Sequence, residues 1–424
     1  MATIKIDPKQ TVKRIKPMHA GGQPPVNAQA TDVHFHYLTE AGIPYSRLHD
    51  VGGAFGGGKF VDVPNIFRDF NADADDPASY DFTFTDLLLE QLHKAGVEPY
   101  YRLGVTIENA AAVKAYWVKC PPDATKWAQI CEHIVRHYTK GWANGYHYKI
   151  TYWEIWNEVD NPPYMWTDTP EAFYHLYTVT AKYLKEKHPD IKVGGYGASG
   201  LYTTWNTEKE DNETEQYRSA FFRGFLAYIK EHNAPIDFFS WHSYANTKDL
   251  TWEDQWRHQE LVRFGYGDLE THLNEWNPYP NELGTAHHSA EIAAMMISMQ
   301  NGNPALCCIY DMRTNTAPYC PLFNPITHKP IHGYYSMVAF NACYQLGMQV
   351  QTDCDTEDLY VLAATDGAHN AMVISNLTGK EQPLVIEGAD LSKAKYHVID
   401  QERLLSWSPA VTNIDKNMVL LIEW

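Results

Sequence analysis

The sequence predicts an α/β protein: a closed (β/α)8 barrel of the TIM type with a small accessory β-sandwich. Three observations carry that reading. From Arg14 onward, eight short apolar, β-branched or aromatic runs alternate with longer helical patterns. After Leu346 the helical patterns stop, and short strands separated by turns take over. Two of the eight strand-like runs, "ITYWEIWNE" and "LETHLNEWN", place Asn-Glu at or near their ends.

The units follow one another in order. "RIKPMHAGG" leads into a helical stretch from about Asn27 to Gly42. "IPYSRLHD" is followed by a long Gly- and Asp-rich loop, Val51 to Ser79, and then "FTDLLLEQLHKAG". "VEPYYRLG" precedes "ATKWAQICEHIVRHYTKG", and "ITYWEIWNE" precedes "TPEAFYHLYTVTAKYLKEKHP". "IKVGGYG", "IDFFSWHSYAN", "LETHLNEWN" and "ALCCIYDMR" each precede a further helical pattern. Thr169-Pro170-Glu171 is a helix-start signal, and Lys94-Ala95-Gly96 a helix stop. Strands that alternate with helices are joined by crossovers and run parallel. Eight such units close into a barrel whose chemistry lies at the C-terminal strand ends. An open doubly wound sheet is the competing architecture, and it would show a glycine-rich phosphate turn after its first strand. The barrel is expected over 14–347, with 1–13 and 348–424 forming one discontinuous β-sandwich, because "ATIKID" at the start is itself strand-like.

Composition narrows the function. The chain has 424 residues and a formal net charge of -18, which argues against nucleic-acid and anionic-membrane partners. Its 13 Trp and 28 Tyr suit a groove that binds sugars, whose rings offer apolar faces and polar edges. None of the 7 Cys makes a CxxC pair, and no run of 18 apolar residues occurs. The expectation is a soluble cytoplasmic protein that needs no cofactor and binds an oligosaccharide or glycoside. His34-Phe35-His36 has the spacing of a metal pair but falls in a helical pattern, as does His287-His288. Gly56-Gly57-Gly58-Lys59 lacks the phosphate-loop frame.

Glu158 and Glu275 end the fourth and seventh barrel strands, which face one another across the mouth. Glycoside hydrolysis needs such a pair, one carboxyl to protonate the leaving oxygen and one to attack or stabilise the anomeric carbon. His49 and Asp50 end the second strand, and His242 and Tyr244 the sixth; these are rim positions able to bind sugar hydroxyls or orient Glu275. Tyr310 ends the eighth strand, and Trp166 in "NPPYMW" is a candidate stacking platform.

Through "SRLHD", "WEIWNE", "GFLAYIKEHNAPIDFFSWHSYAN" and "HLNEWN", nearly the whole chain resembles the clan A retaining glycosidases, and most closely glycoside hydrolase family 39, which includes β-xylosidases and α-L-iduronidases. The resemblance implies that Glu158 is the acid/base, Glu275 the nucleophile and Asn157 the ligand of the sugar 2-OH. It also implies release of a terminal sugar, a pentose of β-xyloside type, by double displacement. The chain departs from the xylosidase pattern in "WNEVD" and "LCCIYDM", where xylosidase members carry "WNEPN" and a strand-eight Trp. A metal-dependent barrel hydrolase and a non-catalytic carbohydrate-binding barrel are the alternatives.

Overall fold

The computed structural model describes residues 1–26, 34–49, 51, 61–106, 119–202, 213–278, 282–314, 316–317 and 319–424. Strand β1 (Ala2–Arg14) precedes the barrel. The barrel strands are β2 (Ala20–Gly22), β3 (Tyr45–Leu48), β4 (Glu98–Leu103), β5 (Tyr152–Ile155), β6 (Lys192–Ala198), β7 (Phe238–Ser243), β8 (Glu270–Trp276) and β9 (Leu306–Tyr310). They pair in that order, all parallel, and β2 closes on β9.

The helices are α1 (His36–Glu40), α2 (Val63–Ile66), α3 (Thr83–Lys94), α4 (Ala124–Lys140), α5 (Pro170–Lys187), α6 (Glu213–Glu231), α7 (Thr247–Phe264), α8 (Ala286–Asn301) and α9 (His332–Leu346). Side-chain caps fix where several of them begin. Asp123 accepts from the amides of Thr125 and Lys126 at the start of α4, and Thr169 from Ala172 at the start of α5. Asn246, read from sequence as the end of a strand, instead caps α7 by accepting from the Asp249 amide. The stretch expected as one helix from Asn27 to Gly42 is described only from residue 34, where it forms α1; residues 27–33 lie outside the described residues, as do Asp50 and the Gly56–Lys59 stretch. The described residues of the expected Val51–Ser79 loop include α2 and a 3-10 turn at Pro77–Ser79.

Strand alternation sorts side chains into two layers. Tyr100, Tyr152, Phe238, Leu306 and Cys308 fill the barrel interior, while Tyr101, Trp153, Ile155, Phe239, Leu273 and Cys307 pack outward against the helices. At β5 this means that Tyr152 and Glu154 point in, and Trp153 and Ile155 point out.

The second domain is a largely antiparallel sheet of nine strands. Besides β1 it contains β10 (Met348–Cys354), β11 (Leu359–Thr365), β12 (Asn370–Asn376), β13 (Gln382–Glu387), β14 (Lys395–Ile399), β15 (Ser406–Ser408), β16 (Asn413–Ile414) and β17 (Val419–Glu423). β1 lies between β10, antiparallel, and β13, parallel. Alternation again divides the faces: Leu362, Ala364, Val373 and Leu421 join the barrel's outer core, whereas Val361, Ala363, Ile374 and Leu420 form a separate core. The Ser375 hydroxyl donates to the Ala290 carbonyl of α8 at 2.7 Å, tying sheet to barrel. Among the described residues, no helix is long and apolar enough to cross a membrane.

Candidate active site

Two backbone irregularities deliver the glutamates. Along β7–β8, Trp241 pairs with Leu273 but His242 pairs with Glu275, so Asn274 is an extra residue in β8. Bulges of this kind re-aim side chains at barrel rims. Asn274 reaches inward, its Nδ2 donating to Glu154 Oε1 at 2.6 Å, and Glu275 is set opposite His242. After β5 the chain turns sharply: Trp156 (φ 70) and Glu158 (φ 45) both adopt left-handed backbone, which costs non-glycine residues energy and clusters at functional sites. The Glu158 amide is held at 3.0 Å by the carbonyls of both Tyr196 and Gly197.

The result is a facing pair. Oxygens of Glu158 and Glu275, with one ring nitrogen of His242, all lie within 4.8 Å of one another. His242 Nδ1 shares a hydrogen bond with Glu158 Oε1 at 2.8 Å and lies 3.6 Å from Glu275 Oε2. Both Glu275 oxygens receive a donor: Oε2 from Arg47 Nη1 at 3.1 Å, and Oε1 from the Tyr244 hydroxyl. Arg47 Nη2 donates to Asn157 Oδ1 at 2.5 Å. Because a guanidinium only donates, this fixes the amide with its oxygen toward Arg47 and leaves Nδ2 for a hydroxyl in the mouth.

Burial and charge compete at each group. Burial depresses the basicity of Arg47, but Glu154 and then Glu275 outweigh it, and its pKa is raised. Burial likewise opposes charge on His242, yet Glu275 and Glu158 outweigh it and favour the imidazolium. For Glu158, burial pushes the carboxyl up, but the hydrogen bond from His242 wins and the direction is down. For Glu275, burial wins over His242 and Arg47, aided by the charge of Glu158, and the direction is up. Groups this close titrate as a unit. Within that unit His242 is pushed toward the imidazolium, Glu158 toward the carboxylate and Glu275 toward the acid, while Arg47 and Tyr244 present a donor to each Glu275 oxygen.

The other expected residues divide. Tyr310 belongs to the rim: its ring lies 6.5 Å from Tyr244 and 6.1 Å from Tyr319. His49 is buried beside Arg102, whose Nη2 donates to the His49 carbonyl at 2.5 Å while Asp62 braces the guanidinium at 2.6 Å. Trp166 is not a stacking platform. Its indole is fully buried, edge-on to Trp156 and Phe173, and its Nε1 donates to the Thr169 carbonyl; no face is left for a sugar. Among the described residues, His34 lies against His328 at 3.4 Å and His288 against Asn277 at 3.2 Å, and neither joins a group of metal-ligating side chains. Sequence reasoning missed Arg47 and Glu154, both wholly inside the barrel. Their signal was a charge at an inward position of an apolar strand, where only paired charges survive.

Fold and site together define a class: (β/α)8 barrels with two facing carboxylates on the C-terminal rim. Within that class the chain belongs to glycosyl hydrolases family 39, whose sequence profile matches residues 2–312. It is 26% identical over 267 residues to a beta-xylosidase of Geobacillus stearothermophilus, covering 56% of this chain and 49% of that protein. The chain thus spans about half the length of the curated relatives it matches. Its fold is similar to that of a glucosidase from Croceicoccus marinus (TM-score 0.80, 18% identity, 100% of this chain and 98% of the other). It is also similar to a family 39 beta-xylosidase from Caulobacter crescentus (TM-score 0.69, 18% identity, 99% of each chain).

Proposed function

We propose that this chain is a retaining glycosidase that releases a terminal pentose, β-xylosides first, with Glu275 as nucleophile and Glu158 as acid/base. The observation that carries the reading is the spacing of the two glutamates, with oxygens within 4.8 Å. Retaining pairs lie ~5–5.5 Å apart, and inverting pairs ~6.5–9.5 Å to admit a water. Arg47 and Tyr244 each donate to Glu275, opposing the upward push of burial on its carboxyl and aiming it for attack. Glu158 draws its proton from the pair it forms with His242, gives it to the departing oxygen, and later takes one from the incoming water. The Asn157 Nδ2 is free to hold the sugar 2-OH as charge develops at the anomeric carbon. The pentose preference rests on the beta-xylosidase relative; the glucosidase-like fold neighbour makes β-glucosides the necessary control.

Substitution separates the two roles. Glu275→Ala should abolish turnover of every substrate. Glu158→Ala should still form the glycosyl-enzyme from a substrate with a good leaving group, then stall. Added azide should restore turnover and give a glycosyl azide of the substrate's own anomeric configuration, since azide needs no general base. An inverted azide product would show that the roles are exchanged or the mechanism inverting. Hydrolysis of hexosides or uronides but not pentosides would remove the substrate assignment.

One observation favours a second reading: two carboxylates and an imidazole form a three-ligand set of the kind zinc accepts. Against it, the Arg47 guanidinium already binds Glu275, and a cation there would be repelled. Activity that survives exhaustive chelation excludes a metal hydrolase.

A further inference from the structure

Glu154 lies on β5, before the turn that carries Glu158, and is fully buried inside the barrel. Three donors from three other strands converge on it. Arg47 Nε (β3) donates to Oε2 at 2.8 Å, and Ser240 Oγ (β7) and Asn274 Nδ2 (β8) each donate to Oε1 at 2.6 Å. Such convergence is the environment of a carboxylate, not a carboxylic acid. The same Arg47 guanidinium reaches Glu275 with its Nη1. One cation in the barrel is thus divided between two anions, one at the rim and one beneath it.

We propose that Glu154 is a positioning residue that acts through Arg47: by holding the Nε side of the guanidinium, it fixes where Arg47 meets Glu275 and limits how strongly Arg47 stabilises the Glu275 carboxylate. The need is physical. A buried arginine with Glu275 as its sole counter-ion would hold that carboxylate too tightly, and a strongly stabilised carboxylate is a poor nucleophile. Without any lower anchor, the guanidinium would have several rotamers to explore. Glu154 answers both by taking part of the charge and all of the Nε geometry. Ser240 and Asn274 in turn satisfy its second oxygen, so the carboxylate leaves no unpaired lone pairs toward apolar neighbours.

The inference rests on Glu275 being the nucleophile, and the test separates the two ideas. The probe is 2,4-dinitrophenyl 2-deoxy-2-fluoro-β-D-xyloside, whose leaving group needs no protonation, so the rate of covalent labelling reports Glu275 alone. Wild-type protein should be labelled at Glu275, with an acid limb marking its ionisation; no label there overturns the functional reading and this inference with it. In Glu154→Gln, Arg47 gives its whole charge to Glu275. The acid limb should then move to lower pH by about one unit. The plateau rate should fall roughly three- to tenfold, as a less basic carboxylate attacks more slowly. A residue that merely supports packing gives the opposite sign: Arg47 loosens, Glu275 loses its donor, and the limb moves to higher pH. An upward or unmoved limb overturns the proposal. Ser240→Ala covers the case in which Glu154→Gln does not fold. It removes one donor from Glu154 and leaves the charge, so Glu154 pulls harder on Arg47 and the limb should rise by a few tenths of a unit; no rise overturns the proposal.

Discussion

Arg47, Arg102 and Glu154 each stand where an alternating strand would carry an apolar residue into the barrel, and all three are buried. Each is tolerated because it is paired: Arg47 with Glu154 and Glu275, and Arg102 with Asp62. Their spacing leaves no slack at Gly197 (φ +59), where a Cβ would lie 3.0 Å from His242 Nε2, 3.1 Å from Asn157 Oδ1 and 3.3 Å from Arg47 Nη2. Gly197→Ala should cost about 1–2 kcal/mol in backbone strain. It should lower kcat/KM about 10²-fold by shifting three site groups at once. Steady-state kinetics beside a denaturant titration checks both, and unchanged kcat/KM would show that the site accommodates the methyl. The glutamates were legible from sequence because a carboxylate ends an apolar run. Arg47 was hidden because its partners lie on β5 and β8, far away in the chain.

At the scale of elements, the strands position the site as much by their irregularities as by their regularity. In an unbroken strand Asn274 and Glu275 would face opposite sides of the barrel wall. The bulge lets both serve the interior, Asn274 beneath and Glu275 at the mouth. Deleting Asn274 removes the extra residue and restores the period of two, which turns the register of the strand end by one residue. The expected outcome is loss of activity by more than ~10²-fold, with barrel circular dichroism retained. Activity within a few-fold of wild type would show that Glu275 does not depend on the bulge. A bulge has no sequence signature in "LETHLNEWN", so this feature came only from the paired register.

The whole molecule depends on pH through buried histidines outside the His242–glutamate cluster. His19 is buried under α9, its ring against Phe340 and Tyr344, and its Nε2 donates to the Gly42 carbonyl at 3.1 Å. Burial lowers its pKa to about 4, and burial does the same to His288. The sign follows from linkage. Both are neutral in the fold and basic when unfolded, so below the unfolded value of about 6.5 the unfolded chain binds more protons. Their contribution is complete above that pH and is lost as pH falls toward 4. Each should account for on the order of 2 kcal/mol of lost stability between pH 7 and pH 5. His19→Gln keeps a donor for Gly42 and cannot titrate, so its Tm should decline less over that interval. Parallel declines would show that His19 does not titrate with unfolding.

The sequence by itself determined what repeats locally. Eight strand–helix alternations, a capping residue such as Thr169, and the change to short strands after Leu346 are each readable within a few residues, because hydrophobic period and backbone preference act over that range. It also marked Glu158 and Glu275 by their place at strand ends. Only the tertiary structure decided that Trp166 is core and not platform, since its burial depends on how the loop after β5 folds the ring between Trp156 and Phe173. The same holds for the division of Arg47 between Glu154 and Glu275. An ion pair buried in a barrel is made by strands whose neighbourhood exists only after closure, and no local pattern records which charges will meet there.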